Sequence, residues 1–145
     1  MVTPMPHQPM IQALRAGAAY VAVVFLAGFV LGTVRVLVVA PRLGAIVAVF
    51  IEAPVILAVS WAVCRGCVAR FRVAPARGPR LMMGGSAFVL LMALEAALSV
   101  LAFGRSLADH LGAYVTAPGA LGLAAQFGFA VIPLIQLRLP RRSTG

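Results

Sequence analysis

Four apolar runs follow one another along this 145-residue chain, at residues 16–40, 43–64, 81–103 and 118–137. The segments between them carry prolines, glycines and arginines. Each run has about 20 residues or more, the length an α-helix needs to cross the hydrocarbon of a bilayer. Lipid offers no partner to backbone N–H and C=O groups, so such runs are predicted as helices rather than open strands. The pattern therefore predicts an all-α fold, an integral membrane four-helix bundle in a single domain. Residues 1–12 and 138–145 are expected to be flexible cytoplasmic tails. Residues 41–42 are expected to make the first turn, 65–80 a basic connector, and 104–117 a polar loop.

Composition agrees with the pattern. Hydrophobic residues make up 63% of the chain and charged residues 10%, with a mean hydropathy of +1.06. A soluble domain of this length could not hide so much apolar surface. The sequence Val38-Val39-Ala40 resembles a signal-peptide cleavage site. The run before it is too long for that role and contains Arg35, so it is read as a span.

Charge adds orientation. The net charge is +9, and all twelve basic residues are arginines. Such an excess raises nucleic acid as a partner, but the arginines gather at the ends of the apolar runs, as topology signals and contacts to anionic headgroups do. Arg15, five arginines of the connector and three of the C-terminal tail fall on one side, against Arg42 and Arg105 on the other. The positive-inside rule then predicts an N-in/C-in protein. The abundance of Ala, Val, Gly, Pro and Arg suggests a GC-rich bacterial genome, and with four helical spans the expected location is a bacterial inner membrane.

Each predicted span carries one strongly polar side chain: Arg35, Glu52, Glu95 and Gln126. Counted from the outer helix ends, they lie about 8, 15, 12 and 12 Å deep. An ionised group inside a bilayer costs about 2.5–3.5 kcal/mol on insertion scales, so these residues need partners or a task. They are expected to meet in one polar layer, with Arg35 shared by the two glutamates and Gln126 completing the network. Gly28-x-x-x-Gly32 shares a face with Arg35 and reads as a packing motif. Pro54 cannot donate to the Phe50 carbonyl, which leaves that oxygen available to Arg35, a water or a cation. Gly28, Gly32 and Pro54 are accordingly taken as helix-packing residues.

Two readings follow from the layer. In the first, the Arg/Glu/Gln network of a non-enzymatic membrane protein organises the bundle or its contact with a larger membrane partner. In the second, two carboxylates against one arginine leave excess negative charge. Glu52 or Glu95 then serves proton- or cation-coupled transport in a small oligomer. A third, more distant reading uses Cys64-Arg65-Gly66-Cys67 as a redox pair. The chain has only two cysteines, and charge bias places them on the cytoplasmic side, where thiols are kept reduced. An incidental helix-end pair is the simpler account. His7 and His110 fall outside the spans, which argues against a haem held by two histidines. Trp61 and Tyr114 fit interfacial anchors. No phosphate loop, nucleophile triad or two-histidine metal helix is present, so no cofactor, metal or catalytic residue is expected. The expected partners are the lipid bilayer and a second copy or a larger membrane protein, not nucleic acid.

Several pieces of the sequence together resemble a family of small, functionally uncharacterised four-helix inner-membrane proteins of proteobacteria. They are Gly32-Thr33-Val34-Arg35, Pro41-Arg42-Leu43-Gly44, Glu52-Ala53-Pro54, Met92-Ala93-Leu94-Glu95, Phe103-Gly104-Arg105 and Gly122-Leu123-Ala124-Ala125-Gln126. The resemblance implies a membrane location and treats these residues as one set. It implies no activity, substrate or cofactor.

Overall fold

The computed structural model describes residues 7–139; the outer parts of both predicted tails, residues 1–6 and 140–145, lie outside the described residues. Those described are helical throughout, with no strand. Helix α1 (Gln8–Val34) passes through a π turn (Arg35–Val39) into the short α2 (Ala40–Leu43). Then come α3 (Ala45–Arg70) and α4 (Arg77–Ala97), the latter extended by a second π turn (Leu98–Ala102). Short α5 (Leu107–Ala113) precedes α6 (Ala117–Arg138). Four stretches are long and apolar enough to cross a membrane: Gln8–Leu43, Ala45–Arg70, Arg77–Ala102 and Ala117–Arg138.

Helix number agrees with the apolar pattern, but several boundaries are corrected. Residues 8–12, expected in a flexible tail, belong to α1. Pro9 lies in the first turn of that helix, where a missing N–H breaks no bond. Pro41 likewise opens α2 instead of making a turn, and the chain reverses at Gly44, whose φ of 84° suits glycine. Helix α3 continues past Cys64 to Arg70. The expected polar loop contains α5, capped by Ser106, whose hydroxyl accepts from the Asp109 N–H at 3.0 Å.

The first π turn has a local cause. Pro41 has no N–H for the carbonyl of Leu37, and its ring crowds that turn. The widened turn before it instead bonds the Ala40 N–H to the Arg35 carbonyl, five residues back. At the second site the Phe103 N–H reaches the Leu98 carbonyl, and Gly104 ends the helix with φ of 64°.

The long helices form a ring. Helix α1 lies against α3 and α4, and α6 lies against the same two, so α3 and α4, adjacent in sequence, sit diagonally. The ring closes where side chains vanish. A Cβ on Gly84 would overlap the Ala130 carbonyl oxygen of α6, and one on Gly17 would come 2.8 Å from the Met83 carbonyl of α4. Tyr20 crosses the centre, stacking on Phe129 at 4.3 Å. Its hydroxyl donates to the Phe129 carbonyl at 2.9 Å. That carbonyl is the one Pro133, four residues on, cannot bond. Tyr20→Phe is therefore expected to leave a buried acceptor without a donor. It should lower stability by about 1–3 kcal/mol, read as a lower Tm in detergent.

Outside the ring the surface is apolar. Leu26, Leu37, Phe50, Val89 and Leu101 are all more than half exposed and all belong to the four long stretches. So large an apolar exterior suits lipid rather than water.

Candidate functional site: a polar chamber at the loop end of the bundle

The end of the bundle that carries Gly44 and α5 is here termed the loop end, and the end carrying residues 71–76 the connector end. Arg35 stands at the start of the first π turn and Glu52 two turns into α3. Arg35 Nε lies 2.5 Å from Glu52 Oε2, an ion pair linking the first and second long stretches. The Nε–H is not aligned for a hydrogen bond, so the contact is one of charge. Gly32 lies beside this pair. A Cβ on Gly32 would sit 3.8 Å from the Arg35 guanidinium and 4.0 Å from Glu52 Oε1.

Glu95 belongs to a different couple. Its Oε2 accepts from Gln126 Nε2 at 2.6 Å, which joins α4 to α6. The Tyr114 hydroxyl, at the end of α5, adds a donor at 3.4 Å and also lies 3.2 Å from His110 Nε2. Tyr114, expected as an interfacial anchor, thus turns inward. Burial, and then the neighbouring Glu95, push its hydroxyl up to about 12. Below it the Asp109 carboxyl is exposed and held under its ordinary range by hydrogen bonds from Ser106, first the hydroxyl and then the backbone.

The expectation of one arginine shared by two glutamates is therefore corrected. Among the described residues, Arg35 has an ion pair with Glu52 only, while Glu95 is held by neutral donors. The two couples join different helix pairs, the first long stretch to α3 and α4 to α6. All four side chains line one cavity of about 700 Å³. Ser60 and Phe129 lie toward its floor, in mid-bundle, and Arg105, His110 and Thr116 toward the loop end. Ser99, only 7% exposed, lines it with an unpartnered hydroxyl, and Gln126 Oε1 has no partner either.

The residues read as packing positions behave differently from one another. Gly28 and Gly32 are part-buried and line the chamber wall, and neither makes the closest helix approach. That role falls to Gly17 and Gly84. Pro54 is exposed on the outer side of α3, so it packs against no helix, and Arg35 takes the Glu52 carboxylate rather than the Phe50 carbonyl.

Cys64 and Cys67 lie toward the connector end, and neither lines the chamber. Both are buried in the core with Tyr20 and Met83, and both are free thiols. Arg65 and Arg70 are exposed, whereas Arg80, expected in the solvated connector, is buried and donates to the Pro133 carbonyl at 3.5 Å. Trp61 is part-buried, and its carbonyl accepts from Gln136 at 2.9 Å. No protein-family model matches this sequence, and comparison with curated proteins and with solved structures gives no match.

Proposed function

We propose that this chain is a non-enzymatic, multi-pass protein of a bacterial inner membrane that holds a solute-binding chamber open toward the outer face. Both ends would lie in the cytoplasm, as the bias of nine arginines to two demands. The loop end then faces outward. The resemblance to inner-membrane proteins of proteobacteria supports the location alone.

One observation carries the reading. Arg35, Glu52, Glu95 and Gln126 line a common cavity in two couples, rather than packing into a sealed knot. A network that served only to fasten helices would satisfy its own polar atoms. Here Ser99 Oγ and Gln126 Oε1 remain without partners beside open volume. The couples brace the walls, and the space between them is the working part. Transport of protons or cations is the form of solute handling that Glu95 favours, since its hydrogen-bond donors are neutral. A second copy or a larger membrane protein would lie against the apolar exterior, and mild-detergent purification with mass spectrometry would identify it.

Ser99→Cys, made in a chain lacking Cys64 and Cys67, tests the chamber directly. It should react with a small, charged, water-soluble thiol reagent added to the outer face of intact spheroplasts. Reconstituted protein should also pass protons or cations across liposomes, and Glu95→Gln should slow that flux. A protected Ser99→Cys together with a flux indifferent to Glu95→Gln would defeat the proposal.

A further inference from the structure

Resting on the chamber reading, the geometry points to a ligand class: a small organic monocation with an apolar body, its charge set against Glu95. Charge counting comes first. Arg35 and Glu52 neutralise one another. Glu95 accepts from Gln126 and Tyr114, and among the described residues it has no ion pair. Arg105, near the mouth, donates instead to the Asp109 carbonyl at 3.1 Å. The chamber thus presents one carboxyl group without a cation, which one positive charge would match.

The remaining polar atoms suit the same ligand. Ser99 Oγ, in a side chain more than nine-tenths buried, and Gln126 Oε1 are both unpartnered and line the chamber. Each oxygen leaves lone pairs free to face a positive charge. The walls are otherwise apolar and include Phe25, Phe29, Phe103 and Phe129. Aromatic walls attract cations that carry a weak hydration shell.

Size and donor set argue against a bare metal ion. A volume of about 700 Å³ is that of a pocket for an organic molecule. Among the described residues no three His, Cys, Asp or Glu side chains come together. Hard divalent cations require six or more oxygen ligands.

The test uses the full chain purified in detergent, with phenyltrimethylammonium as the probe in equilibrium dialysis. Binding should saturate at one per chain. Glu95→Gln should weaken it at least tenfold. Gly122 lines the chamber, and a Cβ there meets nothing within 4 Å, so Gly122→Leu should fill the space and abolish binding without disturbing the fold. The uncharged isostere tert-butylbenzene should compete at least tenfold more weakly, and sodium should not compete. Wild-type affinity in Glu95→Gln, or equal competition by tert-butylbenzene, overturns the ligand class. The chamber reading survives that result if Ser99→Cys remains reachable from outside, and falls with it if Ser99→Cys is protected and the flux is indifferent to Glu95→Gln. Should Glu95→Gln not fold, labelling of Glu95 by dicyclohexylcarbodiimide in the native sequence replaces it. Phenyltrimethylammonium should slow that labelling at least tenfold, and an unchanged rate rules the inference out.

Discussion

Gly84→Val is expected to abolish accumulation of the folded protein, while Gly85→Ala, one residue away, leaves it unchanged. Membrane helices associate without a hydrophobic driving force between them, so close packing of backbones carries the interaction. At Gly84 the backbone of α4 approaches α6 so closely that a Cβ would occupy the place of the Ala130 carbonyl oxygen. That obstacle is main chain, so no rotamer change relieves it. Over-packing of a core costs about 1–3 kcal/mol where side chains can yield, and a larger loss is expected here. Even Gly84→Ala should lower Tm clearly. Gly85 faces outward, and a Cβ there meets nothing within 4 Å. Its substitution should stay within about 0.5 kcal/mol. Gly28→Ala and Gly32→Ala, whose added carbons meet neighbours only at 3.8 Å, should also be mild. Thermal melts of the five proteins, native and variant, in one detergent check the series. Equal Tm values for Gly84→Ala and Gly85→Ala would remove the claim that this crossing is the tight one.

These contrasts show which parts of the molecule are legible in the sequence. Hydropathy alone shows four long helices, since length and apolarity are properties of each segment by itself. Residues facing the chamber were also legible: one polar side chain per apolar run, at similar depth, predicts that Arg35, Glu52, Glu95 and Gln126 share a region. Which pairs form was not. The ring puts α1 beside both α3 and α4, so a glutamate lies on each neighbouring helix, and which one Arg35 meets depends on helix rotation and depth that no local pattern encodes. That Gly17 and Gly84, rather than Gly28-x-x-x-Gly32, make the close crossings is not local either: a small residue marks a permitted approach, not the helix that makes it. Two missed features did leave a local signal. Ser106-Leu107-Ala108-Asp109 has the spacing of a helix N-cap with an acidic residue in the first turn, which announces α5 and hence the inward turn of Tyr114. Pro133 within an apolar run frees the Phe129 carbonyl, which calls for a buried donor such as Tyr20.

Arg35→Ala and Glu52→Gln are each expected to destabilise the bundle by about 3 kcal/mol, because each strands the opposite member of an ion pair in a low-dielectric setting. The figure is set at the lower end for broken buried pairs because the Arg35 side chain is 32% exposed and the Glu52 side chain 18%. Arg35→Ala combined with Glu52→Gln removes both charges together, so it should lose less than the sum of the single changes. The cycle should return a coupling of about 1–3 kcal/mol. Glu95→Gln makes the informative comparison. A glutamine oxygen at that position can still accept from Gln126 and Tyr114, and no cation is stranded among the described residues. Its cost should remain under about 1 kcal/mol. Denaturation in a mixed detergent series, monitored by circular dichroism, measures all four variants on one scale. Additive losses at positions 35 and 52 would show that the pair contributes no coupling. A loss at Glu95 as large as that at Glu52 would restore the shared arginine. The asymmetry matters for mechanism: one glutamate whose removal strands a charge holds a wall in place, while one whose removal strands none is at liberty to meet a ligand.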